Sequence, residues 1–300
     1  MNILATGTSG LIGQALIPIL TTSGHRVTCL VRFKPRAGES LVYWNPAAGE
    51  IDAPKLEGFD AVVHLAGEPI TGRWNTTKKT AIRESRVKST RLLCETLARL
   101  AKRPRVLVAA SATGYYGDRG DEVLREESGA GSLFLSQVCQ EWEAATKAAA
   151  GGGIRVVNLR FGFVLSRAGG GLAQMLPAFK MGAGGKIGSG KQYLSWIAID
   201  DLLQIILFAT TAETLNGPVN AVAPNPVTNL VFTKTLGRVL GRPAIFPMPA
   251  FAVRLAFGEM GKELLLASTR IEPARLLSAG YQFRFPELEG ALRHLLGRLR

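Results

Sequence analysis

TGTSGLIG, residues Thr6–Gly13, places three glycines between an apolar segment and a helical pattern near the start of the chain. Gly7 permits a tight turn, and Gly10 lets the backbone approach a pyrophosphate without a Cβ in the way. Gly13 lets the helix pack closely against the strand, and the helix N-terminus offers free N–H groups to the anion. Because the triplet lies between a strand and a helix, it predicts a dinucleotide-binding turn rather than a purely structural one.

Apolar runs and helical patterns alternate through the first half of the chain, which is typical of βαβ units around a parallel sheet. The predicted strands are Asn2–Thr6, Arg26–Val31, Leu41–Trp44, Ala61–Leu65, Val106–Ala110 and Arg155–Arg160, and the predicted helices are Leu11–Thr22, Thr77–Leu100 and Leu133–Ala149. Strands such as the one in DAVVHLAG are almost continuously apolar, which indicates a sheet covered on both faces. We therefore predict the α/β class, with a Rossmann doubly wound parallel sheet.

The pattern becomes less regular after Arg160, and the sequence is rich in proline from about Asn225. We predict a cofactor-binding Rossmann domain over residues 1–165, with its sheet completed by about 195–222. Residues 166–194 and 223–300 are predicted to form a smaller C-terminal lobe on the substrate side. Asp200 and Asp201 precede a predicted helix and are expected to cap it and to interact with its dipole.

The second strand indicates which dinucleotide binds. An NAD site needs a carboxylate there for the ribose hydroxyls, whereas a 2′-phosphate needs cations. No Asp or Glu occurs from His25 to Gly38, while Arg32, Lys34 and Arg36 follow the strand. Arg32 is best placed, because a guanidinium can form two parallel hydrogen bonds with a phosphate. The pattern favours NADP(H) over NAD(H); the alternative is that these residues serve only solubility.

Composition limits the other function classes. The chain has 300 residues and a net charge of +13, with 36 basic and 23 acidic residues. The basic residues are spread along helical patterns without interleaved aromatic residues, so nucleic-acid binding is not expected. No apolar run approaches the roughly 18 residues that cross a bilayer, so no membrane partner is expected. We expect a monomer or homodimer that acts on a small molecule.

Cysteines and histidines are few and scattered. Cys29, Cys94 and Cys139 have no disulfide or zinc spacing, which favours a reducing, cytoplasmic location. The three histidines have no acidic or cysteine neighbours at ligand spacing, so no metal site is predicted. One of them, His64, is expected to be packed at a strand end rather than to act in catalysis.

Five motifs together resemble a known family. TGTSGLIG, DAVVHLAG, SATGYYG, LRFGFVLS and SWIAIDDL follow one another in the order seen in extended short-chain dehydrogenase/reductases, and the chain is similar to the NAD(P)-dependent epimerase/dehydratase group. YYGDRGDE and the segment Arg254–Leu292 resemble a subfamily named for sugar-nucleotide epimerases, which carries a C-terminal domain of unknown function. The resemblance spans essentially the whole chain.

The resemblance implies a role for each matching residue. The pyrophosphate is expected at the turn and the helix start, and the 2′-phosphate is expected at Arg32. The segment from Leu65 to Glu68 is expected along the path from adenosine to nicotinamide, and Arg86 takes the place of an asparagine that faces the cofactor. The expected cofactor-binding residues are Gly7, Ser9, Gly10, Leu11, Ile12, Gly13, Arg32, Leu65, Ala66, Gly67, Glu68, Arg86, Ser111, Arg160, Phe161 and Gly162.

The same resemblance shows that three catalytic positions have changed. Active relatives have a Ser or Thr before the glycine of the tyrosine-containing motif and a Tyr-x-x-x-Lys pair on the next helix. The tyrosine transfers the substrate proton, and the lysine lowers the tyrosine pKa. Here Ala112, Leu135 and Cys139 occupy these positions, and no Tyr or Lys lies between residues 123 and 146.

Two interpretations follow from this loss. In the first, Tyr115 or Tyr116, assisted by Ser111 or Thr113, replaces the missing proton donor in an epimerase or carbonyl reductase; the substrate could be a nucleotide sugar. Cys139 is a further candidate acid, although a cysteine inside a helix is more often buried. In the second, the protein binds NADP(H) without turnover, as a redox-sensing module. The sequence leaves both open.

Overall fold

An eight-stranded sheet forms the centre of the computed structural model, which describes residues 1–36 and 38–298. The strands are β1 (Asn2–Thr6), β2 (Arg26–Val31), β3 (Leu41–Asn45), β4 (Glu50–Ile51), β5 (Ala61–His64), β6 (Val106–Ala112), β7 (Val123–Leu124), β8 (Arg155–Phe161), β9 (Phe163–Leu165), β10 (Tyr193–Leu194), β11 (Trp196–Ala198), β12 (Gly217–Ala221), β13 (Val227–Thr228) and β14 (Arg270–Ile271). The helices are α1 (Leu11–Thr22), α2 (Thr76–Arg99), α3 (Phe134–Ala145), α4 (Lys147–Gly151), α5 (Gly170–Lys180), α6 (Ile199–Thr211), α7 (Asn229–Leu240), α8 (Ala250–Gly261), α9 (Ala274–Ser278) and α10 (Leu288–Leu295). Short 3₁₀ helices cover Ala53–Leu56 and Thr113–Tyr116, and a π-helical turn covers Lys262–Leu266.

The strand order of the central sheet is β12-β8-β6-β5-β1-β2-β3-β4. All neighbouring pairs are parallel except β3 and β4. The order reverses at β1, because the chain first moves outward through β2 and β3 and then returns to β5 on the other side. In such a sheet the ligand crevice lies outside the carboxyl ends of the strands at this reversal. The predicted Rossmann doubly wound sheet is confirmed.

Two predicted elements differ in detail from the structure. The predicted helix Leu133–Ala149 is divided into α3 and α4 at Thr146, whose hydroxyl donates to the Glu143 carbonyl at 2.7 Å and accepts from the Asn158 amide at 3.2 Å. The strand of SWIAIDDL, β11, pairs with β9 in a separate two-stranded sheet, while β12 pairs with β8 and extends the central sheet.

Hydrophobic residues from the C-terminal stretches pack into the core of the central sheet. Leu172 and Phe179 of α5, Leu236 of α7 and Leu292 of α10 belong to the same buried cluster as Val157 of β8. A second cluster, on the other face of the sheet, is built from β-strand residues and from α2. The predicted C-terminal lobe therefore shares a core with the Rossmann domain, which fixes its position over the sheet.

Asp201 connects the C-terminal segment to α6. Asp200 and Asp201 both lie in the first turn of this helix, but no side chain caps its N-terminus, so the predicted capping hydrogen bond is wrong. The buried Asp201 carboxylate instead accepts hydrogen bonds from the backbone N–H groups of Arg284 at 2.8 Å and Phe285 at 2.9 Å. The Asp201 carboxylate thus satisfies two backbone N–H groups in a segment that has no regular structure to supply acceptors.

Replacement of Asp201 by alanine should lower the free energy of unfolding by about 2–4 kcal/mol, because two partly buried N–H groups lose their acceptor. Asp200→Ala is the matched control, and we expect a change of about 0.5 kcal/mol or less, because this half-buried carboxylate has only a 3.4 Å contact with His294. Urea unfolding of both variants measures the difference. Equal destabilisation by the two substitutions would contradict this role for Asp201.

Candidate active site

The glycine turn has the geometry that an anion site requires. Gly7 has a φ of +69°, and a Cβ there would lie 2.5 Å from the carbonyl carbon of Leu65. A Cβ at Gly13 would overlap the Gly7 carbonyl oxygen, so this glycine permits the close approach of α1 to the turn. A Cβ at Gly10 would meet only the Gly7 carbonyl oxygen, at 3.3 Å, which leaves its outer side open to a ligand.

The N-terminus of α1 carries backbone donors without protein partners. Gly10 is the N-cap residue, and no side chain caps the helix. Within the part of the chain that the structure describes, the N–H groups of Leu11, Ile12 and Gly13 make no backbone or side-chain hydrogen bond. These groups and the positive end of the helix dipole point to the position of Ser9 and Gly10, where a pyrophosphate would fit.

Arg32 is the first residue after β2, the strand next to β1 in the sheet. Its side chain is exposed and forms neither an ion pair nor a hydrogen bond with the residues described. Its guanidinium is therefore available to a ligand at this edge of the sheet. β2 itself carries no acidic residue, as noted from the sequence.

A chain of buried hydrogen bonds fixes the loop after β5. The Thr6 hydroxyl accepts from the N–H groups of Leu65 at 3.2 Å and Ala66 at 3.3 Å. The same hydroxyl lies 2.7 Å from Nδ1 of His64, whose Nε2 lies 2.8 Å from the Thr90 hydroxyl on α2. The indole N–H of Trp142 on α3 also donates to the Thr90 hydroxyl, at 2.9 Å. The network connects β1, β5, α2 and α3 beneath the predicted cofactor path, in agreement with a structural role for His64.

Gly67 and Glu68, the remaining residues of the predicted cofactor path, contact α2. Glu68 forms an ion pair with Lys78 at 2.8 Å, and its N–H donates to the Ser85 hydroxyl at 2.9 Å. Gly67 packs against Arg86, and a Cβ at Gly67 would lie 3.3 Å from Cζ of that guanidinium. The loop therefore follows the surface of α2 closely.

The two buried hydroxyls among the predicted catalytic residues are occupied by protein partners. The Ser111 hydroxyl donates to the Glu143 carboxylate at 2.7 Å. The Tyr116 hydroxyl lies 2.7 Å from Oδ1 of Asn220 and accepts a hydrogen bond from Arg160 at 2.9 Å. Burial raises the pKa of Tyr116 to about 12. Both residues therefore contribute to a polar network beneath the cleft.

The other two predicted catalytic residues have free hydroxyl groups. Thr113 and Tyr115 are half-buried and lie in the 3₁₀ helix that follows β6. Among the described residues neither hydroxyl has a hydrogen-bond partner. The Arg160 guanidinium stacks on the Tyr115 ring, with Cζ 3.5 Å from the ring centroid. Tyr115 is thus held by its ring while its hydroxyl stays available.

Arg160 and the residues after it face the protein interior. Arg160 is 2% exposed and makes two hydrogen bonds of 2.8 Å with the Glu143 carboxylate. Phe161 ends β8 and packs against the main hydrophobic cluster. A Cβ at Gly162 would lie 2.6 Å from the Ser195 carbonyl oxygen, so this glycine allows the chain to pass close to that residue.

The three changed catalytic positions are adjacent in the structure. Leu135 is buried and packs against Gly114, with its Cβ 3.1 Å from the position of a Cβ on that glycine. Cys139 is buried next to the backbone of Ala112, and burial raises its pKa to about 12. The thiol is therefore protonated and inaccessible at neutral pH, which removes Cys139 as an efficient acid.

The C-terminal segment packs on the start of α3. The Glu263 carboxylate accepts from the N–H groups of Phe134 at 3.0 Å and Leu135 at 2.9 Å, and so satisfies the helix N-terminus. Met260 packs in the same buried cluster as Leu135 and Trp74. Local sequence patterns could not predict this contact, because Glu263 is 128 residues from its nearer partner.

Two kinds of feature are absent from the described ranges, 1–36 and 38–298. No group of three or more His, Cys, Asp or Glu side chains there could hold a metal ion. None of the helices described combines the length and the apolar character needed to cross a membrane.

Family comparisons agree with this geometry. Residues 3–221 match the profile of the NAD dependent epimerase/dehydratase family, and residues 248–295 match a domain of unknown function. The chain belongs to the NAD dependent epimerase/dehydratase family. The family resemblance predicted from the sequence motifs is confirmed, including its C-terminal domain.

Relatives of this family member cover nearly its full length. It is 44% identical over 287 residues to the epimerase family protein Mb2239 of Mycobacterium bovis, with 95% of this chain and 94% of that protein covered. It is 38% identical over 300 residues to the human epimerase family protein SDR39U1, with 99% and 100% covered.

Solved structures of family members superpose well. The crystal structure of human SDR39U1 (isoform 2) with NADPH matches with a TM-score of 0.91 and 37% identity over 100% of both chains. A nucleoside-diphosphate sugar epimerase from Corynebacterium glutamicum matches with a TM-score of 0.80 and 40% identity, over 99% of this chain and 58% of that chain.

The pH dependence of the free energy of unfolding should reflect the protonation of the buried His64. Burial lowers the pKa of His64 to about 4, from 6.5 in an unfolded chain. Between these values the unfolded state binds more protons, so stability is complete above about pH 6.5 and decreases as the pH falls toward about 4. The change amounts to about 3 kcal/mol in total and about 2 kcal/mol between pH 7 and pH 5.

Urea unfolding at the two pH values measures this contribution. His64→Gln should reduce the loss of stability on acidification by about 2 kcal/mol. His25→Gln, at a half-buried position beside the N-terminal amine, is the control for the loss of an imidazole elsewhere in the chain. An unchanged pH dependence in His64→Gln would show that this histidine is not held neutral by the fold.

Proposed function

We propose that this protein binds NADP(H) at the carboxyl edge of its sheet and uses it as an epimerase or carbonyl reductase with an atypical proton donor. The observation that carries the proposal is the set of free N–H groups at the start of α1 beside an unpaired arginine at the end of β2. When bound, the cofactor supplies or accepts a hydride. The protein residues bind it, orient it and transfer the proton.

Both the chemistry of the site and the structure of a relative support the cofactor assignment. Anions bind at helix N-termini where backbone donors are free, as at Leu11–Gly13, and a guanidinium binds a phosphate more strongly than a hydroxyl. The absence of an acidic residue on β2 removes the usual partner of an NAD ribose. The human relative SDR39U1 was crystallised with NADPH, and the two structures align over their full lengths.

The proton donor is assigned to Tyr115, with Thr113 beside it. Their hydroxyl groups are the two among the four predicted candidates that have no partner in the described structure, whereas Ser111 and Tyr116 are already bonded. Arg160 holds the Tyr115 ring by a cation–π contact. Both residues follow β6 directly, at the edge where the cofactor is expected.

A nucleotide sugar is the proposed substrate class. The related Corynebacterium glutamicum protein is described as a nucleoside-diphosphate sugar epimerase. MoeE5, which shares the fold at 20% identity, has been solved in complex with UDP-glucose and NAD. The three cysteines are all free thiols, which fits a reducing compartment, and the proposal places the protein in the cytoplasm.

A second candidate function is a non-catalytic NADP(H)-binding or redox-sensing module. The observation in its favour is the coordinated replacement of three neighbouring catalytic positions by Ala112, Leu135 and Cys139. Leu135 and Cys139 are both buried. Activity measurements distinguish the two functions.

Replacement of Arg32 by serine should weaken NADPH binding about tenfold or more and leave NADH binding unchanged, because only NADPH carries a 2′-phosphate for charge-assisted hydrogen bonds. Isothermal titration calorimetry of both cofactors measures the two dissociation constants. Arg26→Ser is the matched control, because this exposed arginine begins the same strand at the opposite edge of the sheet. A wild-type preference for NADH would overturn the cofactor assignment.

Replacement of Tyr115 by phenylalanine should reduce turnover by about a hundredfold or more and leave the NADPH dissociation constant unchanged, because it removes only the proton donor. Nicotinamide absorbance and chromatography of product isomers, with a panel of nucleotide sugars and carbonyl compounds, detect both reaction types. Thr113→Val should have a smaller effect. Turnover that survives in Tyr115→Phe would exclude Tyr115 as the donor, and no wild-type turnover across the panel would favour the non-catalytic alternative.

A further inference from the structure

Six large apolar side chains near the C-terminal domain are exposed to solvent. They belong to the loop after α5, to the segment between α7 and α8, and to α8 itself. We call them the apolar patch: Met181, Ile245, Phe246, Met248, Phe251 and Leu255. Single exposed apolar residues are ordinary in a folded protein, whereas a group of them beside charged residues marks a surface for contact with another protein or with a membrane.

Backbone hydrogen bonds join the two chain segments that carry the patch. The N–H of Phe246 donates to the Gly184 carbonyl at 3.1 Å, and the N–H of Met248 donates to the Lys186 carbonyl at 2.9 Å. The loop after α5 therefore supports the segment between α7 and α8, and α8 follows that segment directly. Residues that are distant in sequence thus contribute to one surface.

Helix α8 is apolar on both of its faces. Val253 is fully buried, while Phe251 and Leu255 are 72% and 76% exposed. Side chains four residues apart lie on the same face of a helix, so these two project together. A surface helix of a globular protein normally presents polar side chains to solvent. The outer face of α8 is therefore suited to an apolar medium rather than to water.

The charged residues that flank the patch all carry positive charge. Lys180, Arg242 and Arg254 are exposed and form no ion pair with any residue that the structure describes. No Asp or Glu occurs in residues 144–199 or in residues 214–258, which supply both segments of the patch. An apolar surface surrounded by unpaired cations is complementary to a partner that combines apolar groups with negative charge.

The form of the patch favours a lipid bilayer over a protein as this partner. Its side chains project from the surface, so a protein would need a matching pocket for each, whereas the bilayer interface accepts projecting apolar groups of any shape. The backbone offers little to a partner strand. The N–H groups of Phe246 and Met248 are already bonded within the protein, and Pro247 and Pro249 have none to donate.

A second copy of this chain does not fit the patch. In a two-fold dimer the same surface of each copy faces the other. Lys180, Arg242 and Arg254 of one copy would then lie opposite the same cations of its partner, with no acidic residue of either segment between them. Juxtaposed like charges oppose such an association.

We propose that the apolar patch attaches this protein reversibly to the surface of an anionic lipid bilayer. Its side chains enter the boundary between head groups and acyl chains, while the three flanking cations meet lipid phosphates. The sequence predicted no membrane partner because no segment is long enough to cross a bilayer, but attachment to a surface needs no such segment. Part of the patch lies in the domain of unknown function, residues 248–295. Cofactor binding is not required for this attachment.

Sedimentation of the full chain with vesicles measures the attachment. Vesicles of equal parts phosphatidylcholine and phosphatidylglycerol should bind it about tenfold or more tightly than vesicles of phosphatidylcholine alone, because each cation near an anionic surface contributes about fivefold. An increase in salt from about 0.1 M to about 0.5 M should weaken the binding, because it screens the lipid charges. Wild-type protein that stays in the supernatant with both kinds of vesicle would overturn the proposal and leave an acidic protein as the occupant.

The apolar contribution is tested on α8. The double variant Phe251→Ser with Leu255→Ser should bind the anionic vesicles about tenfold or more weakly, because both side chains would stay in water. Leu277→Ser is the matched control, since it removes an exposed apolar side chain of α9 outside the patch, and it should bind as the wild type does. Phe251→Trp should bind at least as tightly as the wild type, because Trp favours the membrane interface. Unchanged binding of the double variant would overturn the proposal.

The charge contribution is tested by removal of the three flanking cations. The triple variant should bind the anionic vesicles about tenfold or more weakly and leave binding to phosphatidylcholine unchanged; its substitutions are Lys180→Gln, Arg242→Gln and Arg254→Gln. The matched control removes three exposed cations farther along α2, by Lys88→Gln, Arg91→Gln and Arg99→Gln. Equal weakening by both triple variants would overturn the proposal, because it would show an effect of net charge alone.

Sedimentation equilibrium without lipid tests the second copy as the occupant. The wild type and the double variant Phe251→Ser with Leu255→Ser should have the same oligomeric state, because the patch does not join two copies. A dimer that this variant dissociates would overturn the proposal.

Discussion

The buried ion pair between Arg160 and Glu143 is the interaction around which the active-site region is organised. It joins the end of β8 to the middle of α3 through two hydrogen bonds of 2.8 Å. A buried guanidinium is stable only when its nitrogens have hydrogen-bond partners, and here the Tyr116 hydroxyl and the Glu126 carbonyl accept from Nη1. Ser111 donates to the same carboxylate. The pair therefore determines the positions of β6, β8 and α3 relative to one another.

In this arrangement some polar groups are bonded within the protein, while others stay available to a ligand. The residues that satisfy Arg160 and Glu143 cannot also serve a substrate, because their hydroxyls are buried and bonded. Tyr115 is held by the same guanidinium through its ring and keeps a free hydroxyl. Leu135 and Cys139 are buried on α3 at the positions where the resemblance expects the catalytic pair. The half-buried hydroxyls without partners among the described residues, those of Thr113 and Tyr115, thus lie directly after β6.

The C-terminal domain contacts both α3 and α2. Glu263 binds the free N–H groups at the start of α3, and Met260 covers Leu135. Lys79 of α2 forms an ion pair with Glu259 at 2.8 Å, which attaches α8 to the other helix of the cleft. Helix α8 is kinked at Gly258, which has a φ of +59° and lies near Arg73. The domain of unknown function therefore packs against the start of α3, and its contact with Leu135 accounts for an apolar residue at that position.

The sequence by itself determined the elements and their order. The glycine spacing of TGTSGLIG, the alternation of apolar runs and helical patterns, and the lack of an acid on β2 depend on local chemistry, and the bounds of β1, α1 and β2 follow from them. Local chemistry could not show that Ser111 and Tyr116 are bonded within the protein, or that the carboxylate of Asp201 binds Arg284 and Phe285 rather than the end of its own helix. Those partners lie 32 to 104 residues away along the chain. Only the tertiary structure decided which polar groups remain free for a ligand, because hydrogen-bond satisfaction in a core depends on residues that meet only after the chain has folded.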